Sequence, residues 1–407
     1  MAIICELPEE VVEEIMLRLS PEALKQFKCV SKTWYASINA LINNPAFVVK
    51  HLEITKRKML SSRFLQFRNL TTVDSPLEEQ EGSVKNAKHF LTLTNDDHNN
   101  SDYIPCVTKD PNFLPLDNWL TDFFMVGNCN GIICLSRYSS PDIILLLNPA
   151  LRETKVLFNS LICDYYKIRY MGFGYDSGAN DYKFVVVGAK EYRSPIKADV
   201  YTLRTESWKE IQVDIELCDS PNDCKAVYCN GVFYWFYWDI STHEFTITCF
   251  DFGDEVFRSI PLPDYVQRKV RKLKKNPEFG VWNESLVLLS FHWGDPAFID
   301  MWVMNSNSNV ADAEEVSYSW TKHLTIGPLV HITKSLVFWG NELYLRAESG
   351  EIVSYNLSTK ELTHHSVYFE RFGVLVVYVK SLVSVHKKAR SNSTVESIHP
   401  DSGLTCP

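Results

Sequence analysis

Apolar residues near the start of the chain recur at helical spacing, whereas beyond residue 113 they fall into short runs separated by turn residues. The stretch LPEEVVEEIMLRLSPEALKQFKCVSKTW, residues 7–34, places Pro8 at a first helical position and Glu9 and Glu10 in the first turn, where negative charge opposes the positive helix end. Val12, Ile15, Met16 and Leu19 line one face of this helix, with Glu10, Glu13, Glu14 and Arg18 on the other. Ser20 before Pro21, and then Ser31, are placed to cap two further helices, the first carrying Leu24 and Phe27 and the second Trp34 and Ile38. Each spans about two or three turns, too short to stand alone in water. These helices therefore need another surface, either the rest of the chain or a partner groove that takes apolar anchors.

The remaining pattern divides into three stretches. Residues 51–112 form a transition in which KRKMLSSRFLQFRNL has some strand character and SPLEEQEGSVKN and TNDDHNNSD are polar loops. From 113 to 388 come short strands such as NGIICLSRY, IILLLNP, DYKFVVVG, NGVFYWFYW and ESLVLLSF, with no long amphipathic helix, which predicts an all-β domain. Residues 389–407 read as a flexible tail. Two internal echoes narrow the architecture. Cys129-Asn130-Gly131-Ile132 and Cys229-Asn230-Gly231-Val232 each set an Asn-Gly turn before a strand, and VYTLRTESWKEI is echoed by VSYSWTKHLTI, each with Ser-Trp opening a strand. Strand, turn, Trp is the outer hairpin of a propeller blade, the indole packing between blades. At roughly 45 residues per blade, roughly six to eight blades are expected, with a pair of β-sandwiches as the alternative fold. Neither the Gly-Gly of kelch repeats nor a Gly-His and Trp-Asp pair is present.

Composition excludes several classes. With 407 residues, 45% of them hydrophobic, the chain can bury a large core and is expected to hold more than one domain. Its apolar runs are of strand length, so no membrane span is expected, and MAIICELPEE lacks the features of a secretory signal. The eleven cysteines are odd in number and scattered without a CxxC pair, so we expect reduced buried thiols, no metal and no cofactor. For the same reason the Asn-x-Ser/Thr sequences are expected to stay unmodified. Net charge is −9, against nucleic-acid binding. RKVRKLKK, residues 268–275, runs against that balance with six cations, and removing them leaves −15. The octet reads as a solvated loop, with nuclear import or a partner patch as alternatives.

Residues 7–34 resemble an F-box: Leu7-Pro8-Glu9-Glu10-Val11-Val12, Ile15, Leu17-Arg18-Leu19, Ala23-Leu24, Phe27 to Lys32 and Trp34 match its order. Downstream, LNPALRETKVL, GFGYDSGANDYKFVVV, CFDFGDEVFRSIPLP and YVKSLVSVHK resemble the F-box-associated domain of plant F-box proteins, most nearly the S-locus F-box and S-locus-F-box-like group. The resemblance implies that Leu7, Pro8, Ile15, Leu19, Leu24, Val30 and Trp34 dock a Skp-type adaptor, and through it a cullin-RING ubiquitin ligase. It also implies that the β domain receives a protein substrate, for the S-locus group a basic secreted-type ribonuclease of the pistil met in the pollen cytosol. Propellers bind through loops at one end, so Glu191, Arg193, Asp219, Asp223, Asp239, Glu244 and Asp295 are the candidate substrate contacts.

No catalytic constellation competes with this reading. DFG at 251–253 lacks the other kinase segments, GFGYDSG at 172–178 lacks dinucleotide spacing, and both fit turns at strand ends. His364 and His365 are adjacent and would point to opposite faces of a strand. The expected role is therefore a non-catalytic specificity subunit. General protein turnover by a related F-box protein and a ligase-independent scaffold are the alternatives.

Overall fold

Ser20 and Ser31 cap helices as their positions predict. Ser20 Oγ accepts a hydrogen bond from Ala23 N at 3.2 Å, and Ser31 Oγ accepts one from Trp34 N at 3.1 Å. They precede the second and third of four helices, α1 (Glu9–Met16), α2 (Pro21–Phe27), α3 (Lys32–Asn43) and α4 (Pro45–Lys58). Pro8 stands immediately ahead of α1 rather than inside it, and α4 carries helical structure past the expected boundary at residue 50. The computed structural model describes residues 8–58, 63–68, 90–95, 106–107, 123–137, 143–158, 166–190, 195–213, 226–239, 244–273, 276–292, 294, 296–307, 317–368 and 374–386.

The strands follow in order. β1 (Arg63–Arg68), β2 (Phe90–Asn95) and β3 (Cys106–Val107) come first. The first blade holds β4 (Phe123–Cys129), β5 (Ile132–Arg137), β6 (Ile143–Asn148) and β7 (Glu153–Phe158). The second holds β8 (Lys167–Asp176), β9 (Asp181–Ala189), β10 (Ile196–Thr202) and β11 (Ser207–Ile211). In the third are β12 (Val227–Cys229), β13 (Val232–Asp239), β14 (Glu244–Asp251) and β15 (Val256–Pro261), followed by α5 (Asp264–Leu273). The fourth comprises β16 (Glu278–Trp282), β17 (Ser285–His292), β18 (Ala297–Asn307) and β19 (Ser317–Leu329). β20 (Ile332–Trp339), β21 (Glu342–Ala347), β22 (Glu351–Asn356) and β23 (Leu362–Tyr368) form the fifth, and β24 (Val374–Val377) comes last.

The result is a propeller, not a pair of sandwiches. Five blades are antiparallel sheets of consecutive strands, and a sixth four-stranded sheet is composite, in the order β24-β1-β2-β3. The expected minimum of six is reached only with this composite sheet, because contiguous blades number five. The stretch expected to be a transition thus contributes three strands, with Phe64 opposite Val377 and Phe67 opposite Val374. The innermost strands neighbour one another in turn from β4 to β24, and Asn128 Nδ2 on β4 donates to Val377 O at 2.9 Å. Both sequence echoes occupy equivalent places. The two Asn-Gly turns join the first and second strands of their blades, with Asn φ of 50° and 47° and Gly φ of 83° in both, a conformation that favours this pair. Trp208 lies opposite Tyr201 and Trp320 opposite Met304, each on an outermost strand, and Trp320 Nε1 donates across to Pro261 O of the preceding blade at 3.0 Å.

The core lies mainly between blades, where clusters join the first to the second, the third to the fourth and the fourth to the fifth. Antiparallel order also gives the ring two unlike ends. Turns between the first and second strands, and between the third and fourth, emerge at one end; the other connections emerge at the opposite end. We call these the turn end and the loop end. α4 leads into β1, and β24 leaves, at the turn end.

One more sequence expectation changes here. Residues 268–273 of the basic octet belong to α5 rather than to a loop, because Val266 and Val270, one helical turn apart, bury at 0% and 3% against the third and fourth blades. Lys274 and Lys275 lie outside the described residues.

Candidate functional site

The short helices gain much of their burial from the propeller's turn end. Met16, Leu17, Leu24, Ile38 and Phe47 form a cluster with Leu151 of the β6–β7 turn and Leu382 of the segment after β24. Lys25 Nζ donates to Leu151 O, and Lys380 pairs with Glu22. Asn148, itself buried, holds this seat together: its Oδ1 accepts from Ala150 N and Leu151 N, while its Nδ2 donates to Val383 O at 2.6 Å. Glu153 Oε2 accepts from Ser384 Oγ at 2.7 Å and Val385 N at 3.1 Å, completing a strap of residues 378–386 between helices and blade.

Outside the seat, the helical module leaves apolar side chains exposed. Val11, Ile15, Val30 and Tyr35 are 42%, 45%, 59% and 55% exposed, on α1 and around the start of α3. Of the expected adaptor contacts, Pro8, Ile15 and Val30 are exposed, Leu19 and Trp34 are half-buried, and Leu7 lies outside the described residues. Trp34 packs edge-on against Phe27 at 5.5 Å. Leu24 is fully buried in the seat, so its local role is to hold the module on the propeller. Sequence spacing does not distinguish these two fates, because the cluster that holds Leu24 also draws Leu151 and Leu382 from distant parts of the chain.

The turn end is also laced between blades. Lys183, on β9, pairs with Asp176 at 2.9 Å in its own blade and with Glu255 at 2.8 Å in the next, and donates to Phe252 O at 2.8 Å. Burial opposes its charge, but the bonds to Glu255 and Asp176 outweigh that and hold its pKa above the usual lysine value. Lys209 reaches the same Glu255 at 2.8 Å, and Lys155 of the first blade pairs with Glu206 of the second.

In chain order, the expected substrate contacts fall between strands or at a strand tip. Residues 191 and 193 lie between β9 and β10, residues 219 and 223 between β11 and β12, and residue 295 between β17 and β18. Glu191, Arg193, Asp219, Asp223 and Asp295 are outside the described residues. Asp239 and Glu244 are a register pair at the tip of the β13–β14 hairpin. These two positions lie at the end opposite the helical module.

Sequence reasoning missed a charged cluster at this same end. α5 bridges the third and fourth blades, with Arg268, Arg271 and Lys272 exposed. Behind it, buried Asp300 accepts from His292 Nε2 at 2.5 Å, Lys322 Nζ at 2.8 Å and Thr325 Oγ1 at 2.8 Å. Burial alone would raise the Asp300 pKa, but those three bonds hold it below the usual carboxylate range. Lys269 Nζ donates to Ser290 O at 3.4 Å, and burial lowers its pKa to about 8, with Asp300 opposing and Lys322 reinforcing the shift. Tyr265, 42% exposed, stacks on Trp302 with centroids 6.2 Å apart and lies 6.4 Å from the His292 ring. The detectable signal was valine at positions 266 and 270, which charge counting overlooked.

Of the cysteines, Cys129, Cys134, Cys229 and Cys249 are buried, and burial pushes the Cys129 thiol up to about 12. Such thiols are packing groups rather than nucleophiles. Among the described residues, no helix is long and apolar enough to cross a membrane.

Comparison with known proteins agrees with this geometry. Residues 4–44 match the F-box domain, and residues 85–385 match the F-box associated beta propeller domain. An F-box/kelch-repeat protein of Arabidopsis thaliana is 26% identical over 387 residues, 93% of this chain and 95% of that one. Another Arabidopsis F-box protein is 25% identical over 385 residues, covering 90% and 92%. A third is 30% identical over 263 residues, 64% of this chain and 62% of that one. Among solved structures, TolB from Acinetobacter baumannii aligns with a TM-score of 0.39 at 10% identity, over 81% of this chain and 72% of that one. The chain, with helices seated on the turn end of its propeller, belongs to the plant F-box proteins that carry an F-box-associated β-propeller domain.

Proposed function

We propose that this chain is the substrate-recognition subunit of a Skp–cullin–F-box ubiquitin ligase. The observation that carries the reading is the separation of two surfaces: exposed apolar residues on the F-box at one end, and the longer connections of the propeller at the other. The adaptor covers Val11, Ile15, Val30 and Tyr35, and the ligase then acts on a protein held at the loop end, where proximity to the ubiquitin donor does the catalytic work. Ile15→Asp with Val30→Asp tests this directly. Loss of about 2 kcal/mol or more per central anchor would remove capture of a purified Skp-type adaptor. An unchanged circular dichroism spectrum and melting temperature would show that the propeller survives. Full adaptor capture by the double variant, or by Leu7→Ala with Pro8→Ala, would overturn the assignment.

The finer proposal, resting on the S-locus resemblance, is that the substrate is a non-self pistil ribonuclease taken up into the pollen tube cytosol. Its basic surface would be drawn to the acidic balance of the chain outside residues 268–275, and loop residues would supply discrimination. Binding should weaken as salt rises, and exchanging the loop-end connections with those of a related protein should change which ribonuclease is captured. Specificity that follows residues 51–112 in such exchanges would remove this reading.

A further inference from the structure

The basic octet finds its place on α5, and the helix geometry separates its charges. Val266 and Val270 face the core, while Tyr265, Arg268, Lys269 and Lys272 stand at i, i+3, i+4 and i+7 and so share one stripe. Lys322 stands alongside, bonded to the same Asp300 that lies near Lys269. That carboxylate already accepts from three donors and cannot neutralise the stripe as well. Trp302 adds an indole N–H that is buried and has no hydrogen-bond partner among the described residues.

We propose that this stripe docks an acidic, carboxylate-rich segment of the substrate protein, lying along α5 across the third and fourth blades. The inference rests on the receptor reading and narrows it to one part of the loop end. Charge complementarity selects the occupant: in a chain of net charge −9, this is where the concentrated cations of the octet reach the surface. An exposed tyrosine stacked on a tryptophan gives such a segment an apolar platform between its charges. A plain solvated lysine face has no need to bury one ammonium beside another, yet Lys269 is half-buried near Lys322 with its pKa brought down.

The test uses the full chain and a fluorescein-labelled poly-glutamate peptide, with binding followed by fluorescence anisotropy at low salt. Wild-type chain should bind the peptide and not a poly-glutamine control. Arg268→Gln with Lys272→Gln should bind roughly tenfold more weakly, as expected for two exposed ionic contacts. Both substitutions are at exposed positions, and an unchanged melting temperature confirms the fold. Tyr265→Ala should weaken binding without changing its salt dependence. Equal peptide binding by wild type and the double variant, no binding by either, or tighter binding of wild type to poly-uridine RNA or phosphatidylserine vesicles than to the peptide would overturn the proposal. Adaptor capture, measured on the same preparations, separates this result from the receptor reading. A wild-type chain that captures adaptor but ignores the peptide has lost only the α5 proposal.

Discussion

Two lysines, one at each end of the propeller, respond to burial in opposite ways. Lys183 at the turn end lies between Asp176 and Glu255, so its charge is held and two blades are joined. Lys269 at the loop end contacts Ser290 O while Asp300 is already occupied by Lys322 and His292, so burial dominates and its charge is weakened. A buried charge with its partners in place is a structural tie, whereas one left under-compensated is a mark of a surface shaped for something else. The same contrast runs through both ends: tight turns, ion pairs from blade to blade and the helical seat on one side, longer connections and an amphipathic basic helix on the other.

The strongest way to break this comparison is Lys183→Met. Removing one member of a buried pair should cost about 3–5 kcal/mol, because Asp176 and Glu255 lose their main compensation. Urea denaturation measures this, and a loss below about 1 kcal/mol would mean that the latch is solvated like an ordinary surface pair. Acid titration sharpens the picture next. Asp176 and Glu255 at the turn end and Asp300 at the loop end all have folded pKa values lowered from 3.8, 4.5 and 3.8. Their contribution is present above those unfolded values and is lost as pH falls through the lower folded ones, so melting temperature should fall steeply below about pH 4. Asp300→Asn should remove only the loop-end part of that fall.

Lys269→Gln should act in the opposite direction to Lys183→Met and by much less. Its folded pKa of about 8 lies below the ordinary 10.5, so the unfolded chain binds the proton more readily between these values, and stability declines as pH falls from 10.5 towards 8. The substitution should therefore stabilise the protein slightly at pH 7 and have no effect above pH 10.5. The smallest expected effect is on binding. As pH rises through about 8, Lys269 loses its charge, one of several cations along the stripe, so affinity for the acidic peptide should drop about twofold or less. Asp300, which shares this neighbourhood, completes its own change at far lower pH, because its bonds to Lys322, His292 and Thr325 hold its pKa below the usual carboxylate range.

Much of this was legible wherever the signal was local. The serine caps, the two Asn-Gly turns and the paired Ser-Trp strands each depend on a handful of neighbouring residues, and each occupies its expected place. What was hidden depended on distant partners. β1 reads as a strand, but only Val374 to Val377 show which sheet it enters. Leu24 looks like any other apolar helix position until Leu151 and Leu382 close over it. The octet concealed a helix because six charges drew attention away from two valines. For the site, strand alternation places Asp239 and Glu244 at one hairpin tip, but it could not show that a basic helix lies at the same end.

The composite sheet also imposes an order in time. The helices emerge first from the ribosome, yet their seat includes Leu382, and β1 waits for the strand that contains Val374. At roughly 5–20 residues per second, making the chain from Phe67 to Val374 takes on the order of a quarter-minute to a minute, and the ring cannot close sooner. A nascent or truncated chain therefore carries an F-box without its footing. The footing of the first-made helices is completed only by nearly the last residues made, so the two ends of the chain acquire their fixed relation in one late event.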